Sequence, residues 1–554
     1  MNRIKHWLPE ILVFGVILAI LLICLNPDYT FMNKAADSIG YAYSADYLYP
    51  SYHTSPPLYL LVSHVFLQIP FGTDAWRMGL LSVLCTMGAC IFIYLIIRRL
   101  MPYKRWYPLL GVLIYGMSAM VISQSIIIQT YPVICMLAAG AYYFAVCKKW
   151  KLMGLMIGIG LAIHILMGFV FLVMFIGYRE YRKNWRALLI TFSFLVFYIY
   201  IPLTNRAPYM WFPDPESVNS VWAFVVDTLK TIIFLFGQLS IWDLPKRIFD
   251  VIGVMGVSIG VFTIIPIVYY FIKAKILRNV LFWLITVPII VFISELDMNT
   301  FDYMMLSMPF LAIVACLGID MMFQVYWGRV KVLVAVILIA VIGFGVFNTL
   351  YFDLGRSLDK NMSASNLYYN EFAKIPSDAI FMPNYAWEWE AIYKYNADYD
   401  KHIYPICIDI LPSELYREQL IEDGIVLVSS NNSNPSISSR QVAQSIIELN
   451  DNVWTTISTD PSTFGSEVIE TNHDINLVAP LDEAKAKDMA ENPQIKWMPY
   501  NPYSIMDTSI MITDWNYVLV SNKNLLFVVF CGTLTILAVK IVMKIFRKKK
   551  KGDS

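Results

Sequence analysis

Ten apolar runs, each close to the ~20 residues a helix needs to cross the ~30 Å hydrocarbon layer of a bilayer, dominate what this chain can become. They cover residues 8–25, 76–97, 108–124, 126–147, 188–203, 251–272, 280–294, 301–323, 330–347 and 525–542. Backbone in lipid must satisfy its own hydrogen bonds, so runs of this kind form helices. Composition agrees: 58% of the 554 residues are hydrophobic and only 15% are charged, too few to clothe a soluble protein of this length. A net charge of +1 gives no footing for nucleic acid as a partner.

The path through the membrane follows from positive charge. Lys and Arg cluster at Arg98/Arg99/Lys104/Arg105, Lys148/Lys149/Lys151, Arg179/Arg182/Lys183/Arg186, Lys273/Lys275/Arg278, Arg329/Lys331 and from Arg547 to Lys551. Such clusters mark the cytoplasmic side. If all are cytoplasmic, residues 152–178 enter and leave by the same side, as two short helices turning near His164. Residues 57–71 then do not cross and form a helix on the outer surface, and residues 222–242 behave likewise.

The expected architecture is a polytopic α-helical membrane protein of about twelve spans. Residues 1–350 form its transmembrane block, residues 351–523 a small extracytoplasmic α/β domain, and residues 524–554 a last helix with a basic cytoplasmic tail. Both termini are expected in the cytoplasm of a cell-membrane protein, and the first run, flanked by Arg3, Lys5 and His6, reads as an uncleaved anchor. In the outer domain, residues 379–382, 402–410, 424–429 and 453–457 read as strands, and 439–449 and 481–489 as helices. A small doubly wound sheet is expected, without a Gly-rich phosphate loop. Eight cysteines are scattered with no CxxC or Cys/His spacing of a metal site, so packing is their default role.

The first outer loop, residues 26–75, is the densest polar place in the membrane half, with Asp28, Lys34, Asp37, Ser38, Asp46 and His53. A carboxylate held just outside an apolar span, beneath an amphipathic helix, suits a general base acting on a hydroxyl, and Asp37 is the candidate. The competing reading is a solvated acidic loop. His164, in an apolar hairpin, is either hydrogen-bonded across helices or part of a cavity wall, with packing favoured. Asn384-Tyr385-Ala386-Trp387-Glu388-Trp389-Glu390 either grips a glycan or peptide or forms a helix face docked on the membrane block.

Two stretches carry a family likeness. The run NPDYTFMNKAADSIGYAYSADYLYPSYHTSPPLYLLVSHVFLQIPFGTDAWRMGLLSVLC resembles the first loop of the protein O-mannosyltransferase-like membrane family in the GT-C glycosyltransferase superfamily. That family has an acidic DSGE-like pattern, a His-Pro-Pro turn, Pro-Leu-Tyr, and Ala-Trp-Arg opening the next helix. YIYIPLTNRAPYMWFPDPESV is similar to its Tyr-x-Tyr-Leu-Pro-x-Arg and Trp-Gly-Asp-Pro segment, and the turn at His164 to its short helix pair. The chain departs from the pattern where Ile39-Gly40 replaces Gly-Glu after Asp37-Ser38, and where Phe212-Pro213 precedes Asp214-Pro215.

The resemblance implies transfer of a sugar, such as a mannose-like hexose, from a polyprenyl-phosphate donor to an acceptor hydroxyl on protein or envelope glycan, with inversion. Asp37 would be the base. Arg206 would pair with the phosphate as a guanidinium fork, or else snorkel to headgroups. His53 would orient the donor, or be a turn residue beside proline. Asp46, Trp211 and Asp214 complete the substrate-binding candidates, the last two as a stacking indole and a hydroxyl acceptor or as ordinary interfacial residues. No cofactor is implied, and a divalent cation stays open. The alternatives are a transporter or flippase of lipid-linked sugar, disfavoured because no repeat is visible, and a non-catalytic envelope scaffold.

Overall fold

The computed structural model describes residues 2–26, 36–48, 56–103, 105–199, 305–325, 369–382, 386–406, 422–424, 450–458 and 476–480. The runs at 251–272, 280–294, 330–347 and 525–542, the segment 222–242 and the loop 204–250 lie outside them. Helix α1 (Asn2–Cys24) and the later helix α4 (Asp74–Leu100) are long and apolar enough to cross a bilayer, and among the described residues only these two pass by length. One side of α1 leaves Trp7, Leu8, Ile11, Leu12, Val16 and Ile23 exposed. Water would penalise so continuous an apolar face, whereas lipid would not. The chain is accordingly read as a membrane protein.

Helix α4 is the central post. It buries Met78, Cys85, Ala89, Cys90, Ile93 and Ile97 against α5 (Tyr107–Gly116) and α7 (Tyr131–Val146). Its start is fixed by Thr73, whose hydroxyl accepts from the Trp76 amide at 3.2 Å. The loop before it holds α2 (Ala36–Tyr47) and α3 (Pro57–Leu67), the latter opening on Pro57, whose preset φ suits a first turn. The helix expected over residues 57–71 is therefore present over Pro57–Leu67 and ends four residues early.

Residues 108–124 do not form one span, contrary to the sequence reading. After Gly116 the chain leaves the helix, Ser118 is extended (φ −71°, ψ 130°), and a second short helix α6 (Ala119–Ser125) follows. Nor is 126–147 helical throughout: residues 126–130 run as buried irregular backbone until Pro132 opens α7. Their carbonyls are satisfied from three sides. Asn26 N–H donates to the Ile126 carbonyl at 2.9 Å, the Ser38 hydroxyl to that of Ile128 at 2.9 Å, and the Ser82 hydroxyl to that of Gln129 at 3.3 Å. Irregular backbone at membrane depth is tolerated only where protein supplies such partners.

Beyond α7, helices α8 (Trp150–Ile163) and α9 (Met167–Gly177) meet at an extended His164 (φ −156°, ψ 137°). With 14 residues α8 is about 21 Å long, too short to span. The two short helices expected to turn near His164 are therefore present. Then come α10 (Arg179–Lys183), α11 (Trp185–Ser193) and a 3₁₀ turn (Phe194–Ile199), and later α12 (Met308–Val325), which packs on α5 and α4.

The segment expected to form an outer domain contributes strands β1 (Ile380–Met382), β2 (Tyr404–Pro405), β3 (Val453–Ser458) and β4 (Asn476–Pro480), ordered β2-β1-β3-β4. β1 runs parallel to β2 and β3, while β4 closes antiparallel on β3. Between β1 and β2 lies α13 (Ala386–Tyr399), the crossover that a parallel pair requires. The expected doubly wound sheet thus has a parallel centre, but the strand at 476–480 and its antiparallel pairing were not foreseen. Segments 407–410, 425–429, 439–449 and 481–489 lie outside the described residues.

Candidate functional site at the Asp74 end of the bundle

The two ends of α4 differ chemically. At its Arg98 end the guanidinium sits over the Trp7 ring, 5.6 Å from the centroid, and the Tyr94 hydroxyl donates to the Glu10 carboxylate at 3.1 Å. At its Asp74 end lie Asn26, the irregular loop 126–130, α2, α3 and α13.

Helix α2 is folded back onto this end by three contacts spread along its length. Ser38 holds its first turn to the Ile128 carbonyl. Tyr41 meets Tyr59 of α3 edge-on at 5.3 Å, and the His64 Nδ1 lies 2.8 Å from the Ala45 carbonyl. Because a carbonyl only accepts, Nδ1 carries the proton there. Asp37 is the second residue of α2, immediately before Ser38, in a first turn whose aligned N–H groups favour negative charge. Its side chain lies outside the described set.

Nine residues further along the same helix, Asp46 meets a lysine of α13. The Lys394 Nζ is 2.7 Å from an Asp46 carboxylate oxygen, 2.9 Å from Asp74 and 3.2 Å from Asp398. An ammonium has three N–H donors, and here each finds a carboxylate. The lysine side chain is 2% exposed while the three carboxylates are 29–38% exposed, so the cation is buried and its anions face outward.

The second oxygens of Asp74 and Asp398 are also engaged. Arg77 bridges Asp74 at 3.1 Å and donates to the carbonyls of Leu67 and Phe71, at 3.0 and 3.2 Å, while the Tyr369 hydroxyl donates to Asp398 at 3.1 Å. Burial alone would push the Lys394 ammonium towards neutrality. The surrounding carboxylates, Asp398 foremost, outweigh it and raise the ammonium above its ordinary range. Asp398 moves up as well, because burial disfavours its charge more than its share of Lys394 and the Tyr369 hydroxyl favours it. Asp46 and Asp398 share that ammonium with Asp74, which has Arg77 as a second cation.

Of the residues singled out in the sequence, Asp37 and Asp46 share α2. His53, Arg206, Trp211 and Asp214 lie outside the described residues. His164 accepts the Leu166 amide on Nδ1 at 3.2 Å and packs 5.6 Å from the Tyr131 ring, the packing role favoured for it. Of the aromatic–acidic run, Asn384 and Tyr385 lie outside the described residues and Ala386–Glu390 form the first turns of α13, which meets α2 further along through Lys394. Lys394, Asp74 and Asp398 were missed. Only the Lys394–Asp398 spacing of four is visible in sequence, while the other partners are 348 and 320 residues away. Among the described residues no three His, Cys, Asp or Glu side chains are placed to hold a metal ion.

No family model and no curated protein matches this sequence. The solved structures similar in arrangement include two of ArnT from Cupriavidus metallidurans. The crystal structure bound to undecaprenyl phosphate is 13% identical with a TM-score of 0.47, and the apo crystal structure is 11% identical with a TM-score of 0.47. Each alignment covers 73% of this chain and 90% of the other.

Proposed function

We propose that this protein is a membrane glycosyltransferase of GT-C type, moving a sugar from a polyprenyl-phosphate donor to an acceptor hydroxyl of a protein or envelope glycan at the outer face. The observation that carries the reading is the seating of α2. The helix bearing Asp37 is pinned by Ser38 to the irregular loop 126–130, at the end of the bundle opposite Arg98. There a lipid-linked donor and a water-borne acceptor can meet. The motifs in the first and second outer loops supply the chemistry.

In that chemistry the acceptor oxygen attacks the anomeric carbon as its proton passes to the Asp37 carboxylate. The bond from that carbon to the phosphate oxygen breaks, and polyprenyl phosphate leaves with the electron pair. The attack comes from the face opposite the leaving group, so the configuration inverts. Arg206 offsets the charge gathering on the departing phosphate. His53, Trp211 and Asp214 orient and hold the donor sugar. Asp46, being ion-paired with Lys394, steadies the helix on which Asp37 stands.

Purified protein given a panel of radiolabelled polyprenyl-phosphate sugars, with membrane extract as acceptor, tests this. Transfer by wild type is expected and loss of at least about a hundredfold in Asp37→Asn, the range for a general base. Full activity in Asp37→Asn would remove that residue from the mechanism. Absence of transfer from every donor would favour the envelope scaffold.

A further inference from the structure

The Lys394 cluster joins segments that are far apart in the chain. Asp46 closes α2 and Asp74 opens α4, so one ammonium ties together both ends of the stretch that contains α3. Arg77 continues the tie by holding Asp74 and the carbonyls of Leu67 and Phe71. The cation itself belongs to the outer domain. It stands on α13, the crossover between β1 and β2, whose Tyr395 packs edge-on against Phe372 at 5.8 Å, and Phe372 in turn meets Phe381 of β1 at 5.7 Å. A displacement of the sheet therefore reaches α2 through packed rings and a buried charge. Asp46 and Asp37 share one helix, about 13 Å apart along its axis, so whatever holds one end limits the tilt of the other.

We infer that Lys394 is a positioning residue: through Asp46 and Asp74 the outer domain clamps the helix that carries Asp37. The transfer site then keeps its geometry only while the outer domain is docked. This rests on the glycosyltransferase reading for its consequence in activity, but the clamp itself is a matter of structure. Removing the ammonium leaves three neighbouring carboxylates without their shared counter-ion, and like charges push α2 and α13 apart. Arginine in its place keeps the charge and five donors.

The test uses full-length protein in nanodiscs and two readouts. Hydrogen exchange of residues 36–47 is expected to quicken by about tenfold or more in Lys394→Met, while amides of α4 and β3 keep their protection. Lys394→Arg should recover most of the protection, as should the exchanged pair Asp46→Lys with Lys394→Asp, which also serves if Lys394→Met does not fold. In sugar transfer, Lys394→Met should lower kcat with little change in the donor KM, and Lys394→Arg should restore kcat. Unchanged exchange in residues 36–47 overturns the clamp whatever the activity. Quickened exchange in a protein whose wild type transfers no sugar upholds the clamp and overturns the glycosyltransferase reading alone.

Discussion

At the scale of single residues, Asp398 and Lys394 respond to pH in different windows. Lys394 has its proton affinity raised on folding, so its contribution is complete below the ordinary lysine range and is lost only as pH climbs through the still higher folded value. Across neutral and acid pH it stays charged. Asp398 is also raised, and for a carboxylate this means the folded state binds its proton more tightly than the unfolded state. Stability then falls as pH rises from the ordinary 3.8 through the folded value. Asparagine at this position keeps an acceptor for Tyr369 and removes the charge. We predict that Asp398→Asn matches or exceeds wild type in unfolding temperature at pH 7, and that its advantage shrinks as the pH falls towards 4. Thermal unfolding in detergent across that range decides it; a variant less stable at pH 7 than at pH 4, relative to wild type, would show the ion pair outweighing burial.

At the scale of elements, glycine lets α8 approach α11 at backbone distance. A Cβ on Gly154 of α8 would stand 2.5 Å from the Ala187 carbonyl oxygen, and one on Gly158 would stand 2.8 Å from that of Thr191. Across this approach the Thr191 hydroxyl lies 3.2 Å from the Gly154 carbonyl, while also standing 3.0 Å from the Ala187 carbonyl of its own helix. Small residues four apart let helices in lipid approach at backbone distance. Gly15 of α1 is the contrast, exposed and with no atom within 4 Å of an added Cβ. Gly154→Ala should therefore destabilise by ~1–3 kcal/mol, as overpacking does. Gly15→Ala should stabilise by ~0.5–1 kcal/mol, because alanine loses less backbone freedom in a helix. Unfolding monitored by tryptophan fluorescence would show opposite shifts of the midpoint. How far these elements were readable follows the range of the forces that make them. α1, α4 and the pair around His164 were legible, since hydropathy and basic flanks are local signals, and β1 and β3 announced themselves by apolar and β-branched residues. The break at Met117–Ser118 and the irregular loop 126–130 were not, because Asn26, Ser38 and Ser82 supply the partners for that loop. β4 was hidden because its register is set by β3. The site was half legible for the same reason: Asp37 and Asp46 stand in a visibly polar loop, whereas the cation that organises them comes from more than 300 residues away.

At the scale of the whole molecule, α4 acts as a ruler with opposite chemistry at its ends. Its 27 residues extend about 40 Å, enough to cross a bilayer with its headgroup boundary. Arg98 and Arg99 close it at one end, near Trp7 and Tyr103, while Asp74 opens it at the other beneath α13 and the sheet. Basic residues flanking spans are retained in the cytoplasm, so the proposed function requires the end bearing Lys394 and α2, with the sheet, to face outside. The native cysteines at 24, 85, 90, 135 and 316 are buried and will react slowly. Substituting Cys407, Cys147 and Cys531 by serine gives a background on which single cysteines at Asp400 and at Tyr103, both exposed, report sidedness. In intact cells a membrane-impermeant maleimide should label Asp400→Cys and not Tyr103→Cys, and permeabilisation should make the two equal. The reverse pattern would put α2, Asp37 and the Lys394 clamp in the cytoplasm. Transfer to an envelope acceptor would then be impossible, because polyprenyl-linked sugar and acceptor would meet on the other side of the membrane from the base that joins them.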